Sequence, residues 1–135
     1  MLVWCVLLAN TTMVMAQSGE PADDTDKLVV LWTSDDPYVA EKVALMYTHA
    51  ARTKNWFGEV ILVVWGPSAK LLAENLKLQE KVHAMQKDGV VLEACVVCAD
   101  SYQVTAELRA LGFDVKGMGK PLTDYLKSGA KVLTF

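Results

Sequence analysis

Cys95 follows directly on the largely apolar segment Val90–Ala94, and Cys98 lies three residues further along the chain. A strand that ends at a cysteine and turns into a helix places the sulfur at the helix N-terminus. There, unpaired backbone N–H groups and the helix dipole favour thiolate over thiol. Thiolate is the form that attacks sulfane sulfur and disulfides. The pair therefore predicts sulfur transfer or exchange, in which the second sulfur can attack a persulfide or mixed disulfide formed on the first.

Other roles for the pair stay open at this point. Buried cysteines are common in protein cores, so both could simply be packed there. A zinc or iron–sulfur site needs about four ligands, and the remaining candidates are His49, near a helix end, and His83, in a Lys-rich helix. We therefore expect no metal and no cofactor. A thioredoxin-type pair would follow the first strand, whereas this pair follows the third.

Other loops at strand ends also carry residues that could do chemistry. Asp35 and Asp36 could form an acid/base pair, but adjacent side chains seldom point together, and Asp36 before Pro37 is a good helix N-cap. Gly66-Pro67-Ser68 could bind an anion at a helix N-terminus, although no glycine-rich phosphate motif surrounds it. Met118-Gly119 is expected to form a turn beside the cysteines.

The elements that position these loops are five apolar strands alternating with helices. Continuous apolar strands are typical of a mostly parallel sheet buried on both faces. The alternation predicts a three-layer α/β/α domain with a five-stranded sheet and flavodoxin-like layering. Reactive groups in such sheets collect at the carboxyl ends of the strands. The predicted strands are Leu28–Trp32, Val60–Trp65, Val90–Ala94, Phe113–Val115 and Lys131–Phe135.

Aromatic and apolar side chains give two further expectations. Trp32 and Trp65 end adjacent strands and could line a pocket beside the cysteines, although core or subunit-interface packing is the commoner role of such residues. The first helix is expected to run from Pro37 to about Arg52 with one apolar face. The residues expected on that face are Val39, Val43, Met46, Tyr47 and Ala50.

The N-terminal region differs in composition from the rest. Residues 1–16 carry no charge and contain an apolar run, residues 2–9, of the length of a signal-peptide core, and a small residue, Ala16, precedes Gln17. We expect a signal peptide over 1–16, a flexible acidic leader over 17–26 and one α/β domain over 27–135. The apolar run is too short for a stable membrane span. Export, as to a periplasm, follows from this interpretation; without it the protein would be cytoplasmic.

Bulk composition limits the function. The chain has 135 residues, 53% of them hydrophobic and 21% charged, which suits a single globular domain with a real core. The formal net charge is −3 and no run of basic residues occurs, so the electrostatic surface that nucleic-acid binding needs is missing.

The segments Gly89–Val104, Leu111–Phe113, Met118–Gly119 and Lys131–Phe135 together resemble the DsrE/DsrF-like family of small sulfur-handling proteins. The resemblance runs from about Lys27 to the C-terminus. It places Cys95 at the family's persulfide-carrying position and Cys98 at a second cysteine found in some branches. Gln103 stands where the family usually has glycine.

The resemblance implies a three-layer α/β protein that assembles as a trimer or hexamer and relays sulfane sulfur between partners. On that basis we expect a sulfur carrier or sulfurtransferase-like protein, with Cys95 as the acting sulfur and Cys98 as its resolving or assisting thiol. Its partners would be donor and acceptor proteins or small sulfur compounds. Two alternatives remain: an extracytoplasmic thiol–disulfide protein, and a non-enzymatic oligomeric binding protein with both cysteines buried.

Overall fold

A computed structural model describes residues 25–135 of the chain. The predicted signal segment, 1–16, and the predicted leader as far as residue 24 lie outside the described residues. No helix among residues 25–135 is long and apolar enough to cross a membrane. The strands are β1 (Lys27–Trp32), β2 (Glu59–Val64), β3 (Val91–Cys95), β4 (Asp114–Lys116) and β5 (Lys131–Thr134). The helices are α1 (Pro37–Val39), a π-helical segment (Ala40–Ala44), α2 (Leu45–Thr53), α3 (Pro67–Glu74), α4 (Leu76–Lys87), α5 (Val96–Ser101), α6 (Thr105–Ala110) and α7 (Gly119–Ser128).

The five strands form one sheet in the order β4-β3-β2-β1-β5, and every neighbouring pair is parallel. This confirms the predicted α/β class. Alternate residues of a strand face opposite sides of the sheet. In β1, Leu28 and Val30 accordingly belong to one buried cluster and Val29 to another.

The strand order determines which helices cover which face. From β1 to β4 the chain moves across the sheet in one direction, so right-handed crossovers put the intervening helices on one face. The crossover from β4 back to β5 runs the other way and puts α7 on the opposite face. Side chains from the helices before β4, such as Ala44, Leu72 and Val82, therefore fill the larger cluster, whereas Tyr125 of α7 packs against the smaller one.

The first helix begins as predicted but presents a different face. Asp36 Oδ1 accepts hydrogen bonds from the backbone N–H groups of Tyr38 (2.7 Å) and Val39 (3.1 Å). The expected apolar face was partly wrong, because Val43 and Met46 are exposed. The π-helical segment has more residues per turn than an α-helix, which rotates the following side chains. The buried positions are Ala40, Ala44, Leu45, Thr48 and Ala51.

Candidate functional site

The carboxyl ends of four strands bring the predicted loops to one edge of the sheet. Residues 33–36 follow β1, 65–66 follow β2 and 117–118 follow β4, while α5 starts directly after β3. Because these strands are all parallel, their carboxyl ends meet at the same edge. The structure thus gathers there the loops that were singled out from the sequence.

Within that edge, the ends of β3 and β4 form the topological switch point. The chain leaves β3 towards α5, on the more heavily covered face, and leaves β4 towards α7, on the other face. Connections that diverge to opposite faces leave a crevice between the two strand ends, which is where open α/β sheets bind ligands. Cys95 ends β3 and Lys116 ends β4, and the two are register partners.

Cys95 is both the last residue of β3 and the N-cap of α5, with the extended backbone conformation that such a cap needs (φ −74°, ψ 115°). Its side chain belongs to the smaller cluster, with Val63 and Met118 as other buried members. The residue is only 5% exposed. A reagent that reaches its sulfur must therefore be small, or the surrounding loops must open.

Cys98 lies one turn along α5 and is half-buried, and both cysteines are free thiols. Burial raises the pKa of the Cys98 thiol, and so does its interaction with the Cys95 side chain, while the backbone N–H of Gly66 lowers it. A negative charge on Cys95 makes a second one on Cys98 unfavourable. The raised pKa favours the protonated form of Cys98.

The turn after β2 brings Gly66 to Cys98. Gly66 has φ +75° and ψ −138°, a conformation that glycine adopts far more readily than other residues. The buried Ser68 hydroxyl fixes this turn, because it donates to the carbonyl of Trp32 (2.6 Å) and accepts from the backbone N–H of Trp65 (3.2 Å). The Gly66-Pro67-Ser68 segment thus serves the local structure beside the cysteines.

The two tryptophans have different environments. Trp65 is half-buried and packs, with Cys98, against the smaller cluster. Trp32 is fully buried in the larger cluster. Only Trp65 therefore contributes to the surroundings of the cysteines. Met118, expected from the sequence to lie beside them, is buried in the same cluster as Cys95.

Sequence reasoning missed Glu93. It is buried in β3, two residues before Cys95, so the two side chains lie on the same face of the sheet. Its carboxylate accepts hydrogen bonds from Lys116 Nζ (2.7 Å) and from the Tyr125 hydroxyl (3.0 and 3.1 Å to its two oxygens). A charged residue inside an apolar strand, in phase with the cysteine, was the available signal.

The end of α5 explains the departure at Gln103. The N–H of Gln103 donates to the carbonyl of Asp100 (3.0 Å), and the N–H of Val104 to that of Ala99 (2.9 Å). This pattern is a Schellman motif, which needs a left-handed residue at the position of Gln103. Gln103 adopts φ +59°, so it takes the conformation that the glycine usual at this position favours.

The histidines lie away from the cysteine pair's network. His49 Nε2 is 2.6 Å from Asp88 Oδ2, which joins the end of α2 to the turn before β3. His83 is exposed on α4. Within residues 25–135, no three His, Cys, Asp or Glu side chains are grouped so that they could hold a metal ion.

Comparison with known proteins gives one family. The model of the DsrE/DsrF-like family matches residues 26–135. The structure is similar to that of a conserved protein of unknown function from Bacteroides thetaiotaomicron, with 33% sequence identity and a TM-score of 0.81. That match covers 86% of this chain and 100% of the other.

A more distant likeness supports the fold. The YchN protein of E. coli has 19% sequence identity and a TM-score of 0.65, over 81% of this chain and 98% of its own. No curated protein matches the chain.

Proposed function

This chain belongs to the DsrE/DsrF-like family, which is generally related to sulfur relay, and on that premise we propose that it is a sulfur carrier or sulfurtransferase-like protein. Cys95 accepts sulfane sulfur as a persulfide. The observation that carries the proposal is the position of Cys95, which ends β3 at the topological switch point and occupies the N-cap position of α5.

The loading step needs no external oxidant. The Cys95 thiolate attacks the sulfane sulfur of a donor such as thiosulfate or polysulfide. A new S–S bond forms on Cys95 while the donor's S–S bond breaks, and the leaving group (sulfite, or the shortened polysulfide) keeps the electron pair. An acceptor thiolate then attacks the outer sulfur, takes it, and leaves the Cys95 thiolate.

Cys98 is the assisting thiol. Burial and the Cys95 side chain raise the pKa of Cys98, which favours its protonated form, and a protonated Cys98 can donate its S–H to an anionic sulfur at position 95. Once deprotonated, Cys98 can also attack the inner sulfur of the persulfide. That step forms the Cys95–Cys98 disulfide and expels hydrosulfide.

The burial of Cys95 favours small donors. With 5% of the residue exposed, thiosulfate, sulfide-derived polysulfides and similar species fit more readily than a folded protein. Half-buried Cys98 is the more accessible sulfur, so a protein partner would meet it first.

Cyanolysis tests the proposal. Reduced protein is incubated with polysulfide, desalted and treated with cyanide, which attacks the outer sulfur of a persulfide and releases thiocyanate. We expect close to one thiocyanate per chain for the wild type and for Cys98→Ser, and none above background for Cys95→Ser. Equal release from Cys95→Ser and the wild type would refute the assignment.

The side-by-side sulfurs favour a second candidate, a thiol–disulfide protein outside the cytoplasm. Cys98 lies one turn along α5 from Cys95 and interacts with its side chain, so the two thiols are neighbours that a disulfide can join. Titration against glutathione buffers, together with cyanolysis, separates the candidates. A pair that cycles readily but carries no cyanolysable sulfur favours the second.

We further propose that the protein is a homo-oligomer, a trimer or hexamer. The support is the assembly that the family resemblance implies, together with several large apolar side chains that are exposed on the described surface; a contiguous patch of such side chains is typical of a surface that associates. They include Tyr38, Met46, Trp56, Leu76, Val97 and Leu126. Light scattering coupled to size-exclusion chromatography gives the mass directly, and a monomer at micromolar concentration would refute the proposal.

We also propose export to the periplasm with removal of residues 1–16. Its support is the uncharged apolar run in residues 2–9 and the small residue Ala16. Expression of the full chain followed by N-terminal sequencing should give a periplasmic product that begins at Gln17. An intact N-terminus in the cytoplasmic fraction would contradict export.

A further inference from the structure

Glu93 is the one charged side chain in the row of apolar residues that β3 buries. Its carboxylate does not face solvent, and two donors satisfy it: the Lys116 ammonium and the Tyr125 hydroxyl. Burying an ion pair seldom stabilises a fold more than apolar packing would. The presence of a buried charged group at this position is therefore better explained by a role other than overall stability.

The two donors flank one loop. Lys116 is the last residue of β4, and Tyr125 lies in α7. The chain between β4 and α7 consists of Gly117 and Met118 alone, and Met118 is buried in the same cluster as Cys95. One carboxylate thus holds both elements that carry this loop.

Both donors of this cluster keep their protons to high pH. Asp114 and Glu93 raise the pKa of the Lys116 ammonium above its ordinary value, so Lys116 remains charged. Burial and the charge on Glu93 raise the pKa of Tyr125 to about 12, so its hydroxyl remains a donor. Asp114 takes a second hydrogen bond from Lys116 (2.6 Å) at the exposed edge.

The loop has open space beside it. A Cβ placed on Gly117 or on Gly119 would meet no atom within 4 Å, so neighbours do not crowd the Cβ side of the residues before and after Met118. No side chain of α7 is fully buried, so the helix depends on contacts such as the one from Tyr125 to stay in place. Loss of either hydrogen bond to Glu93 would therefore loosen the loop that carries Met118 while the sheet stays intact.

We propose that Glu93 is a positioning residue of the cysteine site: by holding Lys116 and Tyr125 together, its carboxylate keeps Met118 in place and limits access to Cys95. The proposal extends the proposed function, because it concerns how a donor reaches Cys95. It does not require that the group formed there is a persulfide.

Alkylation kinetics test it. Native protein is treated with iodoacetamide, and the modification of Cys95 and Cys98 is followed separately by peptide mass spectrometry. Tyr125→Phe removes only the hydroxyl, and Glu93→Gln keeps the side-chain volume. We expect each variant to raise the alkylation rate of Cys95 about tenfold, since losing a hydrogen bond to a charged group shifts a local opening by that order. The rate at Cys98, outside the loop, should change much less.

Asp124→Asn is the matched control. It disrupts the exposed pair between Lys120 and Asp124 on the same helix without touching Glu93, so its Cys95 rate should equal that of the wild type. Low, non-denaturing urea gives a further readout. Opening of one loop exposes little surface and should respond weakly to urea, whereas general destabilisation responds strongly.

The alkylation rates distinguish local opening of the loop from general loosening of the fold. Wild-type Cys95 rates in both Tyr125→Phe and Glu93→Gln would overturn the proposal. An equal rise at both cysteines, with strong urea dependence, would also overturn it, because that pattern means general loosening. Cyanolysis of the same variants tests the proposed function separately. If no persulfide is found, the proposed function is refuted, while the alkylation rates still decide the role of Glu93.

Discussion

Cys95 and Lys116 are register partners at the ends of β3 and β4, the two neighbouring strands from which the chain departs to opposite faces of the sheet. The proposed nucleophile, Cys95, therefore lies at the topological switch point, which is where open α/β sheets bind ligands. Lys116 turns towards Glu93 and Asp114, so its ammonium charge is already paired within the protein. The site is thus a buried thiol beside a fully partnered ion cluster.

A side chain at Gly66 should destabilise the turn after β2. Gly66→Ala meets no steric obstacle, but it must adopt φ +75° with ψ −138°, so we expect a loss of about 1–3 kcal/mol in the free energy of unfolding. Urea denaturation measures this. Gly119→Ala is the control: it also has open space and lies in the first turn of α7, so it should be neutral or slightly stabilising. Equal effects of the two changes would contradict the argument from conformation.

Gln103→Gly should stabilise the protein. Gln103 occupies the left-handed position of the Schellman motif that ends α5, where glycine has no Cβ to crowd the backbone. We expect a gain of about 1 kcal/mol in the free energy of unfolding, measured by urea denaturation. Gln103→Ala keeps the Cβ and should bring no such gain. A glycine variant no more stable than the alanine variant would rule out relief of backbone strain.

The pH dependence of Cys98 should reflect both burial and its neighbour. Because burial and the Cys95 side chain raise its pKa, its alkylation should begin at higher pH than that of a free cysteine. In Cys95→Ser the neighbouring charge is gone, so the midpoint should move down. A pH–rate profile by peptide mass spectrometry measures both, and an unchanged midpoint in Cys95→Ser would contradict the coupling.

The same shift has a consequence for stability, with a definite sign. The raised pKa means that the unfolded chain loses the Cys98 proton at lower pH than the folded protein does. This contribution to stability is therefore present below the ordinary cysteine pKa and is lost as pH rises through the raised value. Cys98→Ala should remove that alkaline component from urea midpoints measured across pH.

Cys98→Ser should prolong the life of the persulfide. In the proposed function, Cys98 resolves the Cys95 persulfide by attack on its inner sulfur, with release of hydrosulfide, and serine cannot make that attack. After loading, we expect the variant to retain cyanolysable sulfur longer than the wild type as pH rises towards the range in which Cys98 ionises. Equal decay in the two proteins would show that Cys98 does not resolve the persulfide.

Much of the fold could be read from the sequence. The apolar segments that become β1, β2 and β3 predicted their burial, and the Asp36-Pro37 start of the first helix was correct because the capping signal is local. The solvent exposure of Met46 could not be predicted. Periodicity arguments assume 3.6 residues per turn, and the π-helical segment before Met46 has more residues per turn than that.

The candidate site was predicted only in part, because local sequence signals show which residue ends a strand but not which residues the fold brings beside it. Cys95 ends a strand, and that position is visible in the sequence. The partners of Glu93 are not, because Lys116 and Tyr125 come from β4 and α7, and only the strand order brings them to β3. The contact between Gly66 and Cys98 likewise depends on β2 and β3 being neighbours.

One measurement tests the central claim most directly: site mapping of loaded sulfur in the wild-type protein, with both cysteines present. Native protein is loaded with polysulfide, alkylated and digested, and tandem mass spectrometry locates any added sulfur atom between Cys95 and Cys98. The account predicts one added sulfur atom on Cys95, with Cys98 carrying only the alkyl group. Added sulfur found on Cys98 alone, or on neither cysteine, would contradict it.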